Sequence, residues 1–463
     1  MKKAQIKKSV SALAMAAVIA VSLFGYGCGA KSASTGSDAG VSGDFTGTAK
    51  GFGGDVSVTL TLTDGAITGC TAEGKDETQG VGSEAIAQMP GKIAESGSIA
   101  VDGVSGATAT STAIKEAAAA ALTAAGLNPD DYKTAVEKDA AAEDSTVDAD
   151  VVVVGAGGAG MTAAITAAAE GKSVVVLESQ SMVGGNSVRA TGGMNAAKTV
   201  YQDENEFGES AGVEKTLKTA AEKYADNETI TALAKTVSEQ WAAYQANPTG
   251  YFDSVELMEL DTMIGGKGIN DPELVETLCA NSADAIDWLD EHGITLHNVS
   301  SFGGASVKRI HRPVNAEGKT VSVGSYMIPL LQENCEKAGV KMMLDTTATE
   351  ILTDANGAAV GVKATGAFGE TVTVNAKAVV LATGGFGANL DMVVKYKPEL
   401  KGFMTTNAPG IQGQGIEMAQ AIGAATVDMD QIQIHPTVEA NTAALITEGL
   451  RGDGAILINE EGK

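Results

Sequence analysis

The sequence predicts an α/β fold in which a large domain built on a parallel β-sheet follows a small α+β domain. A continuous apolar strand at residues 149–154 is typical of the buried centre of a parallel sheet. A helix at residues 159–170 and a second apolar strand at residues 173–177 complete a β–α–β unit. Residues 56–62 instead alternate apolar and polar side chains, which predicts a half-buried strand in a separate small sheet.

The strand predicted at residues 56–62 must be paired and covered by other elements of the small domain. Asp64-Gly65 is a hairpin turn signal, and residues 66–71 are predicted to be the returning strand. Residues 113–125 are rich in alanine and predict a helix, with Ser111 or Thr112 as its N-cap. Glycines at 80 and 82 predict a turn, which we place near a bound ligand.

Further elements are predicted in the large domain. They are helical stretches at residues 214–245 and 272–292 and a buried strand at residues 378–382. The predicted organisation is a signal peptide at 1–28, a linker at 29–42, a small domain at 43–126, a second linker at 127–148, a large domain at 149–429 and the start of a further domain at 430–463.

Composition excludes some classes of function. The formal net charge of −26 would repel nucleic acid and anionic membranes, and the 4% aromatic content argues against base-stacking surfaces. An anionic substrate would need a local positive field. The four histidines form no metal-binding pattern, and Cys70, Cys279 and Cys335 are predicted to be small core residues.

The N-terminus has the pattern of an export signal. Four lysines precede an apolar run at residues 10–24, and small residues lead to Cys28. The Gly27-Cys28 pair resembles the lipobox of bacterial lipoproteins, although Gly25 stands where leucine is usual. The resemblance implies a lipid anchor on the extracytoplasmic face of the cell membrane. An ordinary cleaved signal is the alternative, and the run is short for a membrane-spanning helix.

A glycine-rich turn between the first strand and helix of the large domain predicts a dinucleotide site in a Rossmann-like domain. Gly155 permits the tight turn, Gly157 lets the backbone approach a pyrophosphate, and Gly160 allows close packing of helix on strand. The helix N-terminus attracts phosphate, and Glu178, after the second strand, would accept a hydrogen bond from a ribose hydroxyl. The turn consists of Gly155, Ala156, Gly157, Gly158, Ala159 and Gly160.

Later glycines favour FAD over a nicotinamide cofactor. Residues 184–187, 190–195 and 382–386 keep the backbone open where a longer cofactor extends. These segments resemble the FAD domain of the fumarate reductase/succinate dehydrogenase flavoprotein family. Because Ser187 occupies the stretch where the respiratory enzymes carry a histidine, the resemblance implies non-covalent FAD. The FAD-binding residues predicted besides the turn are Glu178, Ser179, Gly185, Asn186, Ser187, Thr191, Gly192, Gly193, Thr383, Gly384 and Gly385.

A second flavin is predicted upstream. Residues 102–108, with Ser105-Gly106-Ala107-Thr108 at their end, resemble the motif of FMN-binding domains in sodium-pumping and electron-bifurcating redox complexes. The resemblance implies that a flavin transferase esterifies Thr108 with the FMN phosphate. Thr110 is an alternative attachment site, and a simple helix N-cap is the alternative role for Thr108. Asp102 would bind a metal or position the hydroxyl during transfer.

Three stretches on the substrate side resemble soluble fumarate reductases, including periplasmic flavocytochromes, over residues 150–463. They are residues 265–272, residues 303–313, and residues 435–437 with 446–452. The resemblance implies that His435 and Thr447 bind a substrate carboxylate and that Glu448 and Arg451 relay a proton. A simple ion pair is the alternative for Glu448 and Arg451. His311 and Arg312 are expected to be structural, His292 and His297 to lie on the surface, and Met342 and Met343 to be packing residues.

Two departures from the family pattern limit the prediction. Because the chain ends at Lys463, it lacks the later proton-donating arginine, the later substrate histidine and arginine and the last FAD-binding strand, so we expect a fragment without a complete active site. Gln414 stands where the family carries aspartate in a Gly-Asp-Gly motif, which weakens an FAD contact.

The sequence therefore predicts an exported flavoprotein of anaerobic respiration. It would take electrons from a membrane-side donor at FMN, pass them to FAD and reduce a 2-enoate, with fumarate favoured. The alternatives are a urocanate or cinnamate-like reductase and an FMN electron-carrier lipoprotein. A 3-ketosteroid dehydrogenase-like oxidase would carry tyrosines in place of His435 and Glu448.

Overall fold

The computed structural model describes residues 40–104, 106–133 and 143–440, together with 443, 445–446, 455–456, 458–459 and 461–462. The predicted signal and Cys28 lie outside the described residues and stay predictions. Within the described part, no helix combines the length and apolar character needed to cross a bilayer.

The small domain is an antiparallel sheet covered by two helices. Its elements are β1 (Gly43–Lys50), β2 (Asp55–Thr63), β3 (Ala66–Glu73), α1 (Gly82–Ser96) and α2 (Thr108–Ala124). The strand order is β1-β2-β3, and the alternating side chains of β2 bury Val56, Val58, Leu60 and Leu62 under the helices, as predicted. Alanine-rich α2 packs so closely on β1 that a Cβ on Gly47 would lie 2.1 Å from the Ala117 carbonyl oxygen.

Two predictions for this domain were wrong. Helix α2 begins at Thr108 rather than at Ala113, and its N-cap position is Ala107 rather than Ser111 or Thr112. The reason is tertiary: the Ser111 hydroxyl is buried and accepts a hydrogen bond from Val104 N at 3.0 Å, so it closes the preceding loop.

The predicted second linker is also shorter than residues 127–148. A 3-10 turn at Pro129–Tyr132 packs back on the small domain, where the Ile99 N–H donates to the Tyr132 carbonyl at 2.9 Å. At its other end the strand β4 already begins at Ser145, which is opposite Val372 in the large sheet.

The large domain contains the predicted β–α–β unit and a helical subdomain. Its first elements are β4 (Ser145–Val154), α3 (Gly158–Ala169), β5 (Val174–Leu177) and β6 (Met194–Asn195). The helices α4 (Val200–Asp203), α5 (Ser210–Lys223), α6 (Glu228–Ala246), α7 (Val255–Gly265), α8 (Pro272–Ala280) and α9 (Ser282–Glu291) follow. The two long predicted helical stretches are each broken in two; at one break, the Asn227 side chain caps α6 by accepting from Ile230 N.

The remaining elements complete two sheets. They are β7 (Asn298–Ser300), β8 (Ile310–Arg312), α10 (Val323–Lys337), β9 (Lys341–Met343), β10 (Thr347–Thr353), β11 (Ala359–Thr365), β12 (Thr371–Leu381), α11 (Leu390–Tyr396) and α12 (Gln414–Ala421). The main sheet has the order β10-β11-β12-β4-β5-β9, parallel from β12 to β9 and antiparallel at β10 and β11. A separate antiparallel sheet of three short strands has the order β6-β8-β7. The predicted α/β fold class is therefore confirmed.

Candidate functional site: two flavin clefts

The glycine turn after β4 is shaped by close backbone packing. Gly155 has a φ of +102°, and a Cβ there would lie 2.5 Å from the Ala382 carbonyl oxygen at the end of β12. A Cβ on Gly160 would lie 1.9 Å from the Gly155 carbonyl oxygen. Glycine at 155 therefore lets the chain turn beside the end of β12, and glycine at 160 lets α3 pack closely on that turn. The N-terminus of α3 lies at the cleft above the sheet, where it would attract phosphate.

Glu178 closes one side of this turn. Its carboxylate accepts hydrogen bonds from Ala156 N at 2.9 Å and from Gln180 N at 3.0 Å. Burial raises the pKa of the Glu178 carboxyl, and the backbone donors at Ala156, Gln180 and Ser179 oppose that shift. Oε1 also accepts from the Ser179 hydroxyl, but Oε2 has a second lone pair to which a ribose hydroxyl could donate.

A cleft of about 230 Å³ opens above the turn. Its wall includes ten of the predicted FAD-binding residues: Gly155, Gly157, Gly158, Ala159, Glu178, Ser179, Asn186, Ser187, Thr383 and Gly384. The Ser187 hydroxyl accepts from Gly158 N at 3.1 Å and so ties the second glycine segment to the first. A glycine-lined cleft at a helix N-terminus beside a buried carboxylate fits the pyrophosphate and ribose of FAD.

The other predicted FAD residues have different positions. Gly185 lines a narrow crevice towards the small domain, and the Thr191 carbonyl accepts from Arg312 Nη2 at 3.2 Å. A Cβ on Gly193 would lie 2.3 Å from the His311 carbonyl oxygen, so this glycine permits the pairing of β6 with β8. Gly192 precedes it, and Gly385 follows the β12 turn with open space at its Cβ position.

Sequence reasoning missed the wall formed after β9. Thr346, Thr347 and Ala348 line the FAD cleft. Gln414, which stands where the family carries aspartate in a Gly-Asp-Gly motif, lines it too. The usable signal was the position of this threonine pair just after an apolar segment, because ligands bind at the carboxyl ends of parallel strands. Met342 and Met343 of that segment are half-buried packing residues, as predicted.

A second cleft, of about 1060 Å³, lies beside Thr108. Thr108 is exposed at the first turn of α2, and Lys92 and Lys115 line the same cleft, as does Asp102. An exposed hydroxyl at a helix N-terminus, in a cleft that two lysines also line, fits a phosphate ester, since both the helix and the lysines attract the phosphate. The residues present therefore fit FMN.

Thr110, the alternative attachment site, is buried. Thr110 is 2% exposed, and its hydroxyl donates to Glu77 Oε2 at 2.5 Å. The other Glu77 oxygen accepts from Gly53 N at 3.1 Å, so Glu77 and Thr110 together hold two loops of the small domain. Esterification of Thr110 would require breaking this buried pair.

The predicted catalytic residues fall only partly within the described chain. His435 Nδ1 lies 2.9 Å from the Thr437 carbonyl oxygen, in a turn after α12. Val438 pairs with Leu445 in an isolated antiparallel bridge, which brings this turn beside the residues that precede Thr447. Thr447, Glu448 and Arg451 lie outside the described residues, so their roles stay predictions.

The histidine and the cysteines predicted to be structural are buried or partly buried. Of the two histidines predicted to lie on the surface, one is exposed. His311 is fully buried, with Nε2 2.6 Å from the Thr199 hydroxyl, and burial lowers the pKa of its imidazole. Cys279 and Cys335 are buried and Cys70 is partly buried, all as free thiols. His297 is exposed, whereas His292 is half-buried with its ring stacked on Trp288.

Comparison with known proteins assigns a flavin-binding family to each of the two domains that form the clefts. A family model described as an FMN-binding domain matches residues 51–123, and one described as an FAD binding domain matches residues 150–252 and 240–463. An NADH:fumarate oxidoreductase from Klebsiella pneumoniae is 39% identical over 78% of this chain and 33% of its own length. The chain belongs to the fumarate reductase flavoprotein family. Its FMN-binding domain is N-terminal, so the family predicted from the sequence is confirmed.

Two further members show how far the likeness extends. A urocanate reductase from Eggerthella lenta is 35% identical over 94% of this chain and 66% of its own length. The open conformation of a flavocytochrome c3 fumarate reductase is 32% identical with a TM-score of 0.54, over 68% of this chain and 48% of that one. This fumarate reductase-type chain thus spans less than two thirds of each of these relatives.

Proposed function

We propose that this fumarate reductase-type flavoprotein passes electrons from FMN to FAD and then reduces the C=C bond of a 2-enoate. The observation that carries the proposal is the adjacency of the clefts: Ser179 and Thr347 line both of them. Bound FAD would supply the hydride, while the chain supplies the nucleotide site and the carboxylate-binding groups. Reduction of the enoate also needs a proton and polarisation of its carboxylate.

We propose fumarate as the substrate, with His435 and Thr447 binding one carboxylate and Glu448 and Arg451 relaying the proton. The Klebsiella relative, an NADH:fumarate oxidoreductase, supports this choice. Urocanate is the second candidate, because the Eggerthella relative that matches 94% of the chain, including the FMN domain, is a urocanate reductase.

Oxidation of a reduced viologen by the full-length, flavin-loaded protein would test the substrate. We expect fumarate to be turned over faster than urocanate or cinnamate, because His435 and Thr447 form the carboxylate-binding pair of the fumarate reductases that the chain resembles. Faster turnover of urocanate would reassign the substrate, and no turnover of any enoate would contradict the reductase proposal.

We further propose that FMN is attached covalently to Thr108. Its exposed position in the cleft that Lys92 and Lys115 also line supports this assignment, as does the buried state of Thr110. We expect Thr108→Ala, made in cells that carry the flavin transferase, to lose the whole FMN mass increment. The measurement is intact-protein mass spectrometry.

Thr112→Ala is the matched control, because Thr112 is an exposed threonine of the same cleft. This variant should keep the FMN increment. If the FMN increment survives in Thr108→Ala and disappears in Thr112→Ala, the ester is on Thr112 and the assignment to Thr108 is wrong.

A further inference from the structure

One segment of the FAD domain touches both flavin sites. We name residues 182–189 the docking segment; it follows β5 and ends in a 3-10 turn at Ser187–Arg189. Asn186 and Ser187, within it, line the FAD cleft. Met182, at its start, is 8% exposed because it packs into the hydrophobic core of the FMN domain.

The end of the docking segment contacts the FMN-attachment loop directly. Arg189 Nη2 donates a hydrogen bond to the Gly106 carbonyl at 3.1 Å, two residues before Thr108. Gly106 has a φ of +86°, and a Cβ there would lie 3.5 Å from Met182 Sδ and 3.6 Å from Arg189 Nη2. The loop is therefore seated between an apolar and a charged side chain of the other domain.

A second loop of the FMN domain meets the same segment. A Cβ on Gly80 would lie 3.2 Å from Val188 Cγ2 and 3.4 Å from Pro329 Cγ. Its neighbour Val81 packs against the cores of both domains. The turn at Gly80 that we predicted to lie near a ligand is thus part of the contact between the domains.

From these contacts we propose that the docking segment holds the FMN domain against the FAD domain, and that Arg189 is a positioning residue for electron transfer from FMN to FAD. Arg189 fixes the loop that carries Thr108, while Ser187, in the same turn, binds the glycine turn of the FAD site. The inference rests on the proposed function for its redox step. Two electrons and two protons leave reduced FMN and reduce FAD, which restores oxidised FMN for the viologen donor.

The test compares Arg189→Gln with the wild-type chain in two measurements. In stopped-flow absorbance, the transfer of electrons from viologen-reduced FMN to FAD should slow at least about tenfold, because one charge-assisted hydrogen bond biases docking by about that factor. In the flavin-free protein, hydrogen exchange should become faster in peptides covering residues 104–108 and 182–189. Arg189→Lys, which keeps the charge, should give intermediate values in both.

Lys172→Gln is the matched control, since Lys172 is exposed at the turn before β5, whereas residues that follow β5 line both clefts. It should leave both measurements unchanged. In a Thr108→Ala background, which would carry no FMN, Arg189→Gln should not alter viologen-driven reduction through FAD alone.

The outcomes separate this inference from the proposed function. Faster exchange with slower transfer in Arg189→Gln supports the inference. Unchanged exchange overturns the docking role, and unchanged transfer overturns the positioning role, even if the mass increment shows FMN on Thr108. A missing mass increment on Thr108 in the wild-type protein contradicts the proposed function instead, and the exchange result in the flavin-free chain still decides the docking role.

Discussion

Replacing Arg309 by methionine is expected to lower the free energy of unfolding by about 3–5 kcal/mol, because it leaves two carboxylates buried without their cation. Arg309 is 2% exposed. Its guanidinium donates to Asp253 Oδ1 at 2.7 Å through Nη2 and to Asp261 Oδ2 at 2.6 Å through Nη1. Burial alone would lower the pKa of Arg309, but the two carboxylates outweigh it and raise that pKa, so the group stays charged.

The network around Arg309 joins parts of the FAD domain that are distant in sequence. Asp253 precedes α7 and Asp261 lies within it, whereas Arg309 precedes β8. The Arg309 carbonyl also accepts from Ala196 N at 3.1 Å, just after β6. Loss of the guanidinium should therefore loosen the helical subdomain from the small sheet that carries Gly193.

Urea unfolding followed by tryptophan fluorescence measures the effect, since Trp241 is buried in the core cluster next to this network. Lys308→Met is the matched control. Lys308 pairs with Glu209 at 3.3 Å, but its side chain is 33% exposed, so its loss should cost no more than about 1 kcal/mol. Equal losses in the two variants would show that the buried network adds no stability beyond a partly exposed ion pair.

The features of the fold that the sequence predicted correctly are those determined by the pattern of residues within one short segment. The apolar run of β4 and the glycines at 155 and 160 specify a strand, a tight turn and a helix within one short segment, and the structure has all three. The alternation in β2 similarly determines which face of that strand is buried. These patterns act through neighbouring residues, so they are visible without the rest of the chain.

What the sequence did not reveal depends on partners far along the chain. Arg309 meets Asp253 across 56 positions, and Arg189 meets Gly106 across 83. Ser111 looked like a helix cap, but its hydroxyl closes a loop that only the tertiary fold brings to it. The resemblance favoured Thr108 over Thr110, but the burial of Thr110 against Glu77 is a tertiary contact that no local pattern records.

The largest effect on cofactor binding is expected for Gly160→Ala, which should weaken FAD binding about 100-fold. The added Cβ would lie 1.9 Å from the Gly155 carbonyl oxygen and 3.3 Å from Val153 Cγ1. No rotamer can relieve a clash with backbone, so α3 must move away from β4, at a cost that overpacked cores place at roughly 1–3 kcal/mol. The upper end of that range corresponds to about a 100-fold change in Kd.

Gly91→Ala is the matched control, because Gly91 also lies inside a helix, α1, with open space at its Cβ position. Alanine in a helix interior is normally favoured over glycine by about 0.5–1 kcal/mol, so this variant should be slightly more stable and bind FAD unchanged. Fluorescence titration of the flavin-free protein with FAD measures Kd. The FMN mass increment that we propose for Thr108 would report separately whether the small domain of each variant has folded.

A wild-type Kd in Gly160→Ala would show that the close approach of α3 to β4 is not what shapes the nucleotide site. A loss of FAD binding in Gly91→Ala as well would point to general destabilisation by alanine rather than to the clash. The expected result, loss in one helix and none in the other, would trace the FAD site to the close approach of α3 to the Gly155 carbonyl, which leaves no room for a Cβ at residue 160. Glycine is needed at position 155 for a different reason, because its φ is +102° and a Cβ there would meet the Ala382 carbonyl of β12.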